Sequence, residues 1–111
     1  VRDVLTALNT GHDGGWATIH ANGARDVPAR LAALGALAGM GEGAVAAQAS
    51  SALDAVLHMR RDAAGRRWVS EVGVLTCARG PLECAVALSA TADGCVTTHE
   101  AWASLAQRVG L

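Results

Sequence analysis

The stretch Leu8–Asn22 reads Leu-Asn-Thr-Gly-His-Asp-Gly-Gly-Trp-Ala-Thr-Ile-His-Ala-Asn and joins a glycine-rich loop to a short β-forming run. Gly11, Gly14 and Gly15 crowd a segment that can hold neither helix nor strand, so Thr10–Gly15 is expected as a loop. Trp16–Ala21 is rich in β-formers and is closed by Asn22-Gly23, so a strand is expected there. Side chains two apart on a strand share a face, which would point Thr18 and His20 the same way. His12 would lie on the loop feeding that strand and His20 near its C-terminal end. In open α/β sheets ligands gather beyond the C-terminal strand ends, where an imidazole can donate to a phosphate or orient an attacking water.

Upstream, Val1–Asn9 reads as a short helix with Val4, Leu5 and Leu8 on one face, and its uncapped start suggests a cut inside a larger element. Downstream of the Asn22-Gly23 turn, a helix is expected from Arg25 or Asp26 to about Ala38, with Pro28 in its first turn and Val27, Leu31 and Leu34 on one side. A second helix, Ala44–Leu53, would turn Val45, Ala49, Ala52 and Leu53 inward. Strands follow at Asp54–Arg61, Arg67–Leu75 and Glu83–Ser89, the first two joined by a hairpin loop that ends in Gly65. Ala92–Val96 reads as a turn and Thr98 as the cap of a last helix carrying Trp102, Leu105 and Val109. The order of helix, strand, two helices and antiparallel meander is that of the second half of an α/β sheet domain.

The 111 residues suffice for one domain, and a net charge of −1 gives no reason to expect nucleic acid as a partner. All nine basic residues are Arg, which excludes a phosphate-loop lysine or a Schiff base within this chain. Phe and Tyr are absent, so Leu, Val and three Trp must supply the large core pieces. Cys77, Cys84 and Cys95 match no zinc spacing and are expected as free thiols in a reducing compartment. No basic-then-apolar leader opens the chain. Leu31–Leu53 carries only Glu42 as a charge, but Gly39-Met40-Gly41-Glu42-Gly43 divides it into helices too short to cross a bilayer, so the chain is expected to be soluble.

Bland readings compete with the chemical one. His12 alone in a glycine-rich loop can be a solvated polar residue, His20 a hydrogen-bonded core histidine, and Thr18 a plain β-former. His12, Asp13, His20 and His58 together include metal-ligand types, at a spacing that fits no compact metal motif; a small metal hydrolase would follow if they did bind zinc. Spacing alone leaves the function open.

The run Ala7–Leu34, ALNTGHDGGWATIHANGARDVPARLAAL, resembles the His box of type II/type IV secretion ATPases. The family pattern is Asn-Thr-Gly-His, a few residues, Thr-(Ile/Val)-His-Ala-Asn, then a helix with Arg-Leu. Asn9, Thr10, Gly11, His12, Thr18, His20, Ala21, Asn22, Arg30 and Leu31 fit it. Gln48–Leu75 is similar to the family's next strand and Arg-Arg hairpin, through Gln48, Leu53, Asp54 and Glu71. The Gly-Gly and Pro28 variants look most like the tight-adherence (Flp) pilus subgroup. The resemblance covers residues 1–76, the C-terminal part of the ATPase domain, and leaves 77–111 as a divergent C-terminal strand and helix of the same domain.

The resemblance implies the C-terminal half of a RecA-like P-loop ATPase domain, followed by an antiparallel meander and a C-terminal helix. It implies a homo-hexameric parent at the cytoplasmic face of the inner membrane, working with secretion platform proteins and powered by ATP with Mg2+. His12 and His20 carry over as catalytic His-box residues near the γ-phosphate, with Gly11 and Thr18 beside the nucleotide phosphates; no residue carries over as a metal ligand. The family's phosphate loop and Walker B strand are not in this sequence and would lie before Val1. Alone, the chain is therefore expected to be inactive and to hold no cofactor. The rival expectation is a non-catalytic interaction module of the same machinery.

Overall fold

The computed structural model describes residues 15–111. The expected Val1–Asn9 helix and nearly all of the expected Thr10–Gly15 loop, including Gly11 and His12, lie outside the described residues. A 3-10 turn at Ala24–Asp26 leads directly into helix α1, Val27–Leu37. Pro28 sits in the first turn of α1, where a missing N–H costs no helical hydrogen bond. The helix stops at Gly39, whose φ of 77° only glycine adopts cheaply. Gly39 N–H donates to Ala36 O at 3.1 Å and Met40 N–H to Gly35 O at 2.8 Å, the paired bonds that satisfy orphan carbonyls at a helix end. Helix α2, Glu42–Ala52, follows after Gly41.

The four strands are β1 (Val56–Arg61), β2 (Arg67–Thr76), β3 (Glu83–Ala90) and β4 (Val96–Thr98), in the order β1-β2-β3-β4, every pair antiparallel. Gly65, at φ 87°, closes the β1–β2 hairpin. The ladder slips at two places. At the first, between His58 and Met59, Ser70 bulges out of β2 and its hydroxyl donates to His58 O at 3.1 Å. At the second, Ala87 bulges out of β3 and its carbonyl accepts His99 N–H at 2.9 Å.

Both faces of the sheet are covered. On one, Val27 and Leu31 of α1 and Val45 and Ala49 of α2 pack with Leu75, Cys84 and Val86. On the other, Leu105 of helix α3, Trp102–Arg108, packs on Val74 and Ala87. Arg108 ties the layers together: its guanidinium donates to Asp54 Oδ1 at 2.9 Å and to Ser50 O at 2.9 Å near the end of α2. Among the described residues no helix is long and apolar enough to cross a membrane. All three cysteines are free.

Three expectations need correction. Trp16–Ala21 is not a strand, because no described strand runs alongside it to complete a ladder. Thr98 does not cap the last helix; it ends β4, and α3 begins three residues after His99, with Trp102 N–H donating to His99 O at 2.9 Å. Asp54 does not open β1, which begins at Val56; its carboxylate is turned to Arg108 instead.

Candidate functional site

Residues 18–22 alternate in burial. Ile19 and Ala21 pack against the core cluster of α1 and β2, whereas Thr18, His20 and Asn22 are exposed. The alternation is that expected of a strand, but the apolar side chains hold the segment down without a ladder. Thr18 and His20 are thus brought to the exposed surface two residues apart. His20 is not a core histidine. His12 and Gly11 lie outside the described residues.

The segment is fastened at its far end by Glu71. On β2 this carboxylate accepts the backbone N–H of Ala24 at 2.9 Å, immediately after the Asn22-Gly23 turn. Ala24 is fully buried, so the bond satisfies a donor that water does not reach. Glu71 stands opposite His58 on β1 and Ser89 on β3. Cys84 lies close by, its sulfur 2.5 Å from where a Cβ on Gly73 would stand. Burial, and after it the negative charge of Glu71, push the Cys84 thiol up to about 11, with Arg25 pulling the other way.

Glu71 entered the sequence reading only as one residue of a family pattern. The signal that it anchors something was present: it is the single charged residue in the half-buried run Trp68–Leu75.

A groove of about 730 Å³ lies between α1, α2 and the β2–β3 turn, bordered by Arg25, Pro28, Glu42, Pro81, Glu83 and Cys84. Neither His20 nor Thr18 reaches it. It is an open crevice between a helix pair and a turn, with no histidine on its walls. Among the described residues no group of three or more His, Cys, Asp or Glu is gathered to hold a metal ion.

The family model for type II/IV secretion system proteins matches residues 1–108. Two Mycobacterium tuberculosis proteins, from strains CDC 1551 and H37Rv and provisionally named conjugal transfer proteins, are each 49% identical to the chain over 83 residues. The match takes in 75% of this chain and 24% of each relative, so the chain spans about a quarter of the length of the curated relatives it matches. The Asn-Thr-Gly-His and Thr-Ile-His-Ala-Asn signatures, the helix pair and the Arg-Arg hairpin all lie inside the region matched by the family model: the chain belongs to the type II/IV secretion system protein family.

Proposed function

We propose that this chain is a piece of a RecA-like motor ATPase whose hydrolysis of ATP powers pilus assembly or protein secretion, in the tight-adherence branch. The observation that carries the reading is the family match over residues 1–108, which takes in the whole His-box pattern. The relatives' names, which associate them with conjugal transfer, lend support. The Gly14-Gly15 and Pro28 variants favour the tight-adherence branch. The parent is a homo-hexamer at the cytoplasmic face of the inner membrane, engaging platform proteins. Residues 1–76 belong to the ATPase domain proper and 77–111 to its divergent end.

The described residues do not by themselves fit a magnesium nucleotide. The chain has no lysine, and no described carboxylate and histidine cluster could hold the metal. The proposal therefore assigns the phosphate loop and the magnesium ligands to other parts of the parent. To this chain the proposal assigns His12 and His20, beside Gly11 and Thr18, as donors toward phosphate oxygens. His20 is exposed and beside an exposed threonine, as such a role requires.

The test uses the complete parent. His12→Ala and His20→Ala should each lower turnover by about 10²-fold, as for loss of a transition-state donor. ATP affinity should change far less, because a contact made only in the transition state does not add to ground-state binding. Parental turnover in both variants would remove the His-box assignment. An in-frame start at Val1, with no phosphate-loop motif encoded before it, would favour the interaction module instead.

A further inference from the structure

The tip of the β1–β2 hairpin gathers Arg60, Arg61, Arg66 and Arg67, all exposed. One carboxylate lies among them, and it is fully engaged. Asp62 Oδ2 accepts Arg66 Nε at 2.9 Å, while its Oδ1 accepts Ala64 N–H at 3.0 Å and Arg66 N–H at 2.9 Å. Those bonds hold its carboxyl below the usual range.

Among the described residues the other three arginines have no such partner. Arg61 and Arg67 are directly opposed in the ladder, so their Cα atoms stand roughly 5 Å apart with side chains on one face. Like charges directly opposed across a sheet disfavour the pairing. Among the described residues no carboxylate lies within ion-pair distance of Arg60, Arg61 or Arg67. Arg60, Arg61 and Arg67, with Met59, also line one concavity of about 320 Å³. Two directly opposed arginines lining a hollow, with no described carboxylate to offset their charge, are half of an anion site.

We propose that Arg61 and Arg67 bind a phosphate-type dianion at the tip of the β1–β2 hairpin. A carboxylate brings one charge and fills one fork. A terminal phosphate brings nearly two charges and three acceptor oxygens, which match two forks. The same chemistry is offered by a free phosphate compound and by a lipid headgroup. The inference does not depend on the parent hydrolysing ATP.

The experiment titrates the 111-residue chain with inorganic pyrophosphate at low ionic strength, by calorimetry and by melting temperature. Saturable binding that raises the melting temperature is expected. Arg61→Ala and Arg67→Ala should each weaken it by about 10-fold or more, as for loss of a charged hydrogen-bonding group. Arg61→Lys should recover only part, since the charge stays and the fork is lost. Arg79→Ala, on a different turn, should bind as the parent chain does. Because removing one of two opposed charges relieves repulsion, Arg61→Ala without ligand should melt no lower than the parent chain, which separates lost binding from lost folding. A parallel arm uses phosphatidylglycerol and phosphatidylcholine vesicles: Arg61-dependent binding to the anionic vesicles alone, without pyrophosphate binding, assigns the phosphate to a headgroup. Absence of Arg61-dependent binding in both arms, or tighter binding of oligoglutamate than of pyrophosphate, overturns the proposal.

Discussion

Glu71 on β2 holds the backbone N–H of Ala24 at 2.9 Å and so fixes where the Thr18–Asn22 segment becomes helix. Removing the carboxylate by Glu71→Ala would strand a fully buried donor. The expected loss is about 1–3 kcal/mol of stability. Glu71→Gln keeps an oxygen acceptor at the same reach and should lose clearly less. Denaturant midpoints of the two variants check the ordering; equal losses would mean that the charge, not the acceptor, is what matters.

Gly35 marks the closest approach of α1 to α2. A Cβ there would collide with Val45 Cγ2. Gly35→Ala raises helix propensity by up to about 1 kcal/mol but overpacks the crossing by about 1–3 kcal/mol. Val45 is β-branched and cannot swing clear, so the clash should win and the melting temperature should fall. Adding Val45→Ala should restore part of the loss, making the double variant more stable than the two single effects predict.

Arg108 and Asp54 form a cross-layer pair that a double-variant cycle can weigh. The ion pair is exposed on the aspartate side, so its coupling should be only about 0.5 kcal/mol. Arg108→Ala should nonetheless cost more than Asp54→Ala, because Arg108 Nη2 also donates to Ser50 O at 2.9 Å and Ser51 O at 3.4 Å. Those carbonyls near the end of α2 would lose their side-chain donor. Equal costs would show that only the carboxylate counts.

Cys84 gives the fold an alkaline limit. Its thiol is raised from an ordinary 9.0 to about 11, so the folded chain favours the neutral form. That contribution is complete below 9.0 and is lost as pH climbs through about 11. The chain has neither Lys nor Tyr, so few other groups titrate in that window. Stability should fall between pH 9 and 11, and Cys84→Ala should flatten that fall. At pH 8 a thiol reagent should modify exposed Cys95 quickly and buried Cys84 only on unfolding.

Local chemistry made much of this fold legible in the sequence. Pro28 and Gly39 bracket α1, and Asp62 with Gly65 builds the β1–β2 turn, because those residues act on their own backbone neighbours. The failures came where a partner decides. Trp16–Ala21 has the composition of a strand, but a strand exists only as a ladder with another. Val96–Thr98 is exposed and short, and only pairing to β3 makes it a strand. Of the candidate site, the shared side of Thr18 and His20 followed from alternation, but their exposure did not. The anchoring by Glu71 did not, since it spans residues far apart in the chain.

The meander order β1-β2-β3-β4 has a kinetic consequence. Its turns, at residues 62–66, 77–82 and 91–95, are all short, so each hairpin closes over little chain. The sheet can zip up strand by strand at a low entropic toll. The late events are then the captures of distant pieces: Ala24 by Glu71, and the carbonyls of Ser50 and Ser51 by Arg108. Weakening either capture should quicken unfolding while leaving the refolding rate nearly untouched, the signature of contacts made after the rate-limiting barrier.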